Sequence, residues 1–358
     1  MRIDQIIMYI MAGGVLLGGI DCILGNKWGY GEKFENGFRL LGPVGLSMAG
    51  IICLAPLLSV CLGGFIRPLC AALHMDPGIF GSILAIDMGG YQLAMDLTEN
   101  PELGRFSAVI LSSVFGCTVV FTIPVGLEAI TAEDYPYFTK GILLGFAAMP
   151  FAILTGGVLL GLGICQILWN CLPILLLSLA LSIGVIMKPD VMMKGFRIFS
   201  RIIKIIATLG LTLAAMSHLT GIILIPSMPP LLEAMETVSS ICIVMLGSMP
   251  LAELIQRIMK VPFARIREKT GLNGVSTTAL LLGMVSTTPT LAMIPDMDKR
   301  GKVLCSACLV SYVGLFSAHL AFAMQFEPDM IPALLAAKAV GAIIGGTIAL
   351  LSTRNTKE

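Results

Sequence analysis

An acid in the middle of an apolar stretch, Asp87, followed by Gly89, Gly90, Tyr91 and Gln92, is the first feature that suggests chemistry. Ionisable groups inside apolar segments are costly and are usually functional or paired. An ionised carboxylate beside paired glycines, where half-helix ends and bare carbonyls can approach a ligand, favours a cation and could also carry a proton. It could equally cap the helix that follows through backbone N–H groups. Tyr91 offers an aromatic face to a cation and Gln92 an amide to a hydroxyl, although either could simply pack. A second group, Ser286, Thr287 and Thr288 before Pro289, with Thr290 after it, suits hydroxyl or ammonium recognition. Those hydroxyls could instead satisfy the backbone that the proline interrupts. His319, mid-segment after Ser317, reads as an interhelical hydrogen-bonder or a proton relay. Asp96, Asp21 and Glu253 fall near segment ends and are expected to reach solvent or headgroups, and Lys338 to snorkel from the start of the last segment.

These residues sit in a chain that is too apolar for water. It has 358 residues, 56% of them hydrophobic, and only 13% charged. Soluble proteins carry roughly 25% charged residues. Eleven apolar segments can be marked, at 5–24, 40–63, 78–97, 106–127, 139–163, 168–187, 201–225, 237–256, 274–294, 303–324 and 330–351. Several approach the ~20 residues that cross a hydrocarbon core. The fold class is therefore an all-α polytopic membrane protein, and the run Ile6–Leu24 is read as a retained first span. The ten cysteines are scattered through apolar segments and read as packing residues, Cys305 and Cys308 included. With three histidines, no clustered nucleophile and no G-x-x-x-x-G-K motif, the sequence suggests no catalytic residues, no metal site, no cofactor and no nucleotide-driven pump. A net charge of +1 without a basic stripe argues against nucleic acid.

The segments at 78–97 and 274–294 are poor material for continuous lipid-facing helices, because glycine, proline and polar residues interrupt them. If both are re-entrant hairpins, nineteen Lys and Arg fall on the cytoplasmic side against three outside. If both cross, the best division is thirteen against nine. The positive-inside rule thus favours nine spans plus two hairpins, with the N-terminus out and the C-terminus in. The halves also resemble each other. Leu54-Ala-Pro56 and Arg67-Pro68 match Ser248-Met-Pro250 and Val261-Pro262 at an offset of 194. Leu93-Ala-Met95 and Gly104-Arg105 match Leu291-Ala-Met293 and Gly301-Lys302 at 198 and 197. The expected organisation is a first repeat over 1–165, a connecting span over 166–188 and an inverted second repeat over 189–358. Such a plan suggests alternating access around a midplane site, and a channel could share it.

Four blocks carry a family resemblance: Asp4-Gln-Ile-Ile-Met-Tyr-Ile-Met11, Ile86-Asp-Met-Gly-Gly-Tyr-Gln-Leu-Ala94, Phe121-Thr-Ile-Pro-Val125 and Met297-Asp-Lys-Arg-Gly-Lys-Val303. In this order, over nearly the whole chain, the sequence resembles the ethanolamine permeases of bacterial ethanolamine-utilisation operons, the EutH family. The resemblance implies uptake of ethanolamine, a small cationic amino alcohol, across the bacterial inner membrane, for a cytoplasmic lyase often housed in a microcompartment. It carries over only Asp87, Gly89 and Gly90 as matching positions. The chain departs from the family pattern at Thr287-Thr-Pro289 and is shorter after its first segment and around 226–236, which puts affinity and selectivity in doubt. Lipid is the surrounding partner, and the sequence leaves open both a homo-oligomer and the coupling ion.

Overall fold

The computed structural model describes residues 3–354, except for the side chains at 3, 4, 88, 189, 264–267 and 269. Arg2 and Lys357, and the side chains of Arg265, Arg267 and Lys269, which entered the charge count, lie outside the described residues. Among those residues helix follows helix without a strand, and eight helices are long and apolar enough to cross a bilayer. The chain is a multi-pass membrane protein.

Helix α1 (Ile3–Ile23) is followed by a short amphipathic α2 (Tyr30–Arg39) and the long α3 (Leu41–Leu73). Next come 3₁₀ turns at Pro77–Ile83 and Ile86–Met88, then α4 (Gly90–Leu97) and α5 (Pro101–Ala129). Much of α5, Phe106–Gly116 and Thr118–Thr122, is wound as π-helix, a form that recurs at functional sites. Helices α6 (Tyr135–Leu159), α7 (Ile164–Met187), α8 (Pro189–Thr220) and α9 (Leu231–Thr270) follow. The chain ends with α10 (Gly274–Gly283), α11 (Thr287–Ala292), α12 (Lys299–Tyr312), α13 (Ala318–Phe326) and α14 (Ile331–Ser352). Three apolar segments of the sequence are therefore broken. The break at Val313–Ser317, between α12 and α13, is one that sequence reading passed over; there Gly314 takes φ +66°.

Two groups of helices form. The first is α1, α2, α3, α8 and α9; the second is α5, α6, α12 and α14 with the segments 77–97 and 274–292, and α7 lies against α6 and α8. Bilayer lipid is as apolar as leucine, so helices here gain by close approach at small residues. The first group has several glycines at its crossings. A Cβ on Gly14 would lie 2.3 Å from the Gly247 carbonyl oxygen, and one on Gly247 would lie 2.2 Å from that of Met11. The same holds for Gly50 against Ala207 (1.8 Å) and Gly210 against Gly50 (2.1 Å). Large apolar side chains such as Leu16, Val60, Phe65, Leu176 and Ile205 face outward, whereas most of α5 is buried.

The interrupted segments double back, each with its ends tied by an aspartate. Asp76 accepts from Thr98 Oγ1 (2.8 Å) and from the backbone N–H groups of Glu99 (3.0 Å) and Asn100 (2.9 Å), across the whole of 77–97. Asp298 accepts from the Asn273 N–H (3.0 Å) and from Ser276 Oγ (2.5 Å), across 277–297. Removing one such carboxylate leaves several donors without partners, at about 1–3 kcal/mol for each that is buried. Asp76→Ala is expected to destabilise the purified protein by about 3 kcal/mol, read as a lower melting temperature in detergent. Glu102→Ala, on the exposed face of α5, should leave that temperature unchanged.

Candidate functional site

A cavity of about 410 Å³ lies between the two helix groups. The interrupted segments contribute Asp87, Ser286, Thr287 and Thr288, the break before α13 and its first turn contribute Ser317 and His319, and the first group contributes Ser47 and an apolar wall from α3 and α9 that includes Pro43, Met245 and Met249. Five of the nine residues singled out in the sequence are thus brought together. Gly89, Gly90, Tyr91 and Gln92 do not line this cavity.

Asp87 is half-buried and opens to the cavity from the turn before α4. The helix that follows begins at Gly90, after an N-cap glycine, Gly89, that has no side chain to cap it. Gly89 makes the turn at φ +90°, where a Cβ would also meet Ile51 Cγ2 at 2.1 Å. A Cβ on Gly90 would sit 2.4 Å from the Leu84 carbonyl oxygen. These glycines let the turn close against α3 and so set where Asp87 stands. Gln92 holds its Oε1 buried without a hydrogen-bond donor.

The second tip divides its hydroxyls between structure and cavity. Thr290 Oγ1 donates back to the Ser286 carbonyl at 2.7 Å, while Ser286, Thr287 and Thr288 line the cavity. The tip is stitched to the break in the following helices: Ser317 Oγ donates to the Val285 carbonyl (2.6 Å) and the Phe316 N–H to that of Met284 (3.1 Å).

Lys338 corrects the sequence reading. It does not snorkel but is fully buried, its ammonium facing the Val313 (2.8 Å), Ser113 (3.0 Å) and Ser311 (3.3 Å) carbonyls and His319 Nδ1 (3.0 Å). The physical reason is that α5 and α12 leave carbonyls free where their windings change, and a cation satisfies them. Counting would have flagged it, since at eight residues into α14 and 1.5 Å per residue it lies about 12 Å deep. Asp21 is also buried, holding the start of α2 by accepting from the Trp28, Tyr30 and Gly31 N–H groups. Asp96 is exposed, as expected, and Glu253 pairs with Arg257 at 2.8 Å.

Tyr91 belongs to a cluster that sequence reading missed. Its hydroxyl donates to Glu327 Oε1 (2.9 Å), and its ring packs on Phe326 and Phe322 at 4.7 and 5.4 Å between centroids. Arg105 donates from Nε to Glu327 Oε2 (2.7 Å) and pairs with Asp329 (2.5 Å). Tyr91 stands in the first turn of α4, just after Asp87, and Glu327 follows the end of α13, the helix that carries His319.

The sequence model of the family described as ethanolamine utilisation protein, EutH, matches residues 3–352. A protein of Listeria monocytogenes named a probable ethanolamine permease EutH is 38% identical over 344 residues, 96% of this chain and 92% of its own length. Uncharacterized protein YxeR of Bacillus subtilis is 36% identical over 354 residues, covering 99% and 96%. The Escherichia coli protein named a probable ethanolamine permease EutH is 32% identical over 389 residues, covering 98% and 94%. No solved structure matches the chain.

The tight fit at the Asp87 turn is testable. Gly89→Ala is expected to lower both the melting temperature and the yield of monodisperse protein. Adding Ile51→Ala should recover part of the loss, the remainder reflecting the ~1–2 kcal/mol cost of a side chain at positive φ. No recovery in the double variant would remove Ile51 as the cause.

Proposed function

The chain belongs to the EutH family of ethanolamine utilisation proteins, and from that we propose that it is an ethanolamine carrier of the bacterial inner membrane working by alternating access. The observation that carries the reading is one acid and several hydroxyls, Asp87 with Ser286, Thr287, Thr288 and His319, around a cavity between two helix groups. Ethanolamine is mostly cationic at neutral pH and carries one hydroxyl. An ammonium leaving water must be paired and hydrogen-bonded, and Asp87 is the charge available for it. The threonine tip and the imidazole then take the hydroxyl end.

The segments 77–97 and 274–292 are, in this proposal, re-entrant hairpins within nine spans, in inverted repeats over 1–165 and 189–358 joined by the span 166–188. Three observations support it. Asp76 and Asn273 correspond at an offset of 197, Asn100 and Asp298 at 198, so each hairpin base has one acid and one amide in exchanged order. Gly14 meets Gly247 and Gly50 meets Gly210, so each close crossing joins one proposed repeat to the other. The ion pairs Arg105–Glu327 and Lys302–Asp134 join loops that this topology puts on one face. If both segments crossed, each of these pairs would link opposite faces.

The group holding the hairpins would move against α1, α3, α8 and α9, exposing Asp87 to alternate sides. The cavity extends to Leu40, beside Arg39, on the proposed cytoplasmic face. A channel for ethanolamine or ammonia would need a continuous path. The site here lies between two groups of helices, an arrangement that suits a carrier.

Asp87→Asn should cut uptake of labelled ethanolamine into proteoliposomes at least about tenfold, the equivalent of one charge-assisted hydrogen bond. Thr287→Val with Thr288→Val should raise the half-saturation concentration, and an unchanged value would remove the second tip from the site. In a background without accessible native thiols, cysteines at His74 and Glu99 should both react from outside, and cysteines at Gly271 and Lys299 from the cytoplasm. Labelling of either pair from opposite faces overturns the topology. Saturable uptake with counterflow distinguishes the carrier from a channel, whose flux would stay linear.

A further inference from the structure

Lys338 is used by nothing in the binding scheme above, yet a lysine so deep in the bilayer needs a reason. Carbonyls freed by broken helices are satisfied elsewhere in this chain by hydroxyls and backbone N–H groups, as at Ser317 and Phe316. A charge is therefore more than the architecture demands. Lys338 Nζ has four neighbours, three backbone carbonyls and His319 Nδ1, for the three N–H groups of an ammonium. The fourth neighbour differs in kind. A carbonyl can only accept, whereas imidazole Nδ1 can accept from an ammonium or, protonated, donate to an amine. The cage therefore suits Lys338 in either protonation state.

The titratable groups around Lys338 are few. His319 from α13 is hydrogen-bonded to it, and Asp87 from the turn before α4 and Cys117 from α5 line the same cavity as that histidine. On α12, Cys308 donates to the Ala342 carbonyl one turn along α14 (3.6 Å). On α6, Lys140 lies at the far end, donating to the Ser352 carbonyl (3.2 Å). Asp87 is thus the carboxylate that shares a cavity with the Lys338–His319 pair. If an ammonium substrate binds Asp87, two cations share one anion in a water-poor site. A buried charge without a partner is strongly destabilising.

We propose that Lys338 and the ammonium of the substrate alternate as the counter-cation of Asp87, so that binding one ethanolammonium expels one proton from Lys338. The inference rests on the ethanolamine carrier reading and adds the coupling to it. The proton passes from Nζ to His319 Nδ1 as the proton on Nε2 leaves into the cavity, which His319 lines. Lys338 becomes a neutral amine that accepts from Nδ1–H, and the reverse transfer restores the ammonium when substrate departs. Over a cycle one organic cation enters and one proton leaves. The exchange carries no net charge and equals uptake of the neutral amine.

The test uses full-length protein purified in detergent, in weakly buffered solution with a pH indicator. Ethanolamine adjusted to the same pH should release about one proton per molecule bound. In proteoliposomes, uptake should be indifferent to an imposed potassium-diffusion potential and faster when the lumen is more acidic than the medium. Lys338→Met should bind ethanolamine without releasing a proton, and its uptake should respond to the potential. Should that variant fail to fold, the wild-type proton count and potential dependence still decide. Ethanolamine binding without proton release, or uptake driven by an interior-negative potential, overturns the coupling and leaves the carrier standing. A wild-type protein that neither binds nor moves ethanolamine overturns the carrier reading and this inference with it.

Discussion

A backbone carbonyl or N–H that leaves a helix inside a bilayer has no water to turn to, and the centre of this protein is organised by that constraint. Its broken segments satisfy one another. The tip at 284–288 is held by Phe316 and Ser317 at the break between α12 and α13. The carbonyls left at Ser113, Ser311 and Val313 converge on one lysine. Because each irregular stretch needs the others, Asp87, the hydroxyls of 286–288 and His319 are held at one spot although some 230 residues of chain separate the first from the last.

Around that centre the helices divide by what they can approach. Helices α1, α3, α8 and α9 cross at glycines, with backbone near backbone, and form a wall whose cavity-facing residues are mostly apolar. The interrupted segments and the break before α13 carry nearly all the polar side chains of the cavity. A ligand would therefore be held chiefly by one group and enclosed by the other. In the proposed carrier, that asymmetry would let relative movement change access without dismantling the binding groups. The ionic cluster of Arg105, Glu327 and Asp329, with Tyr91 and its phenylalanines, joins α4, α5 and α13 through ion pairs, a hydrogen bond and ring contacts.

Much of this was legible before any coordinates. Membrane character follows from composition, and the interruptions follow from Asp87-Met-Gly-Gly90 and Ser286-Thr-Thr-Pro289, because glycine, proline and bare polar groups cannot make a smooth lipid-facing helix. Residues whose polarity contradicts their surroundings advertise themselves. Tyr91 was visible as an aromatic beside an acid, but its partner, Glu327, lies 236 residues away and no local pattern links them. The π-helical winding of α5 and the break at Gly314 were equally hidden. Both occur in runs with ordinary apolar character, where the deviation is imposed by packing against other segments.

The sequence by itself determined that the chain is an all-helical membrane protein, where two of its helices break, and which acid and hydroxyls stand at the breaks, since hydropathy and backbone preference are local properties. Tertiary structure alone decided which breaks face each other, that Asp87 is free to face a cavity, and that Lys338 turns inward to the Ser113, Ser311 and Val313 carbonyls. Those outcomes depend on which partners a polar group finds across the fold, and a lysine reads the same in sequence whether it reaches for the headgroups or for a ring of carbonyls.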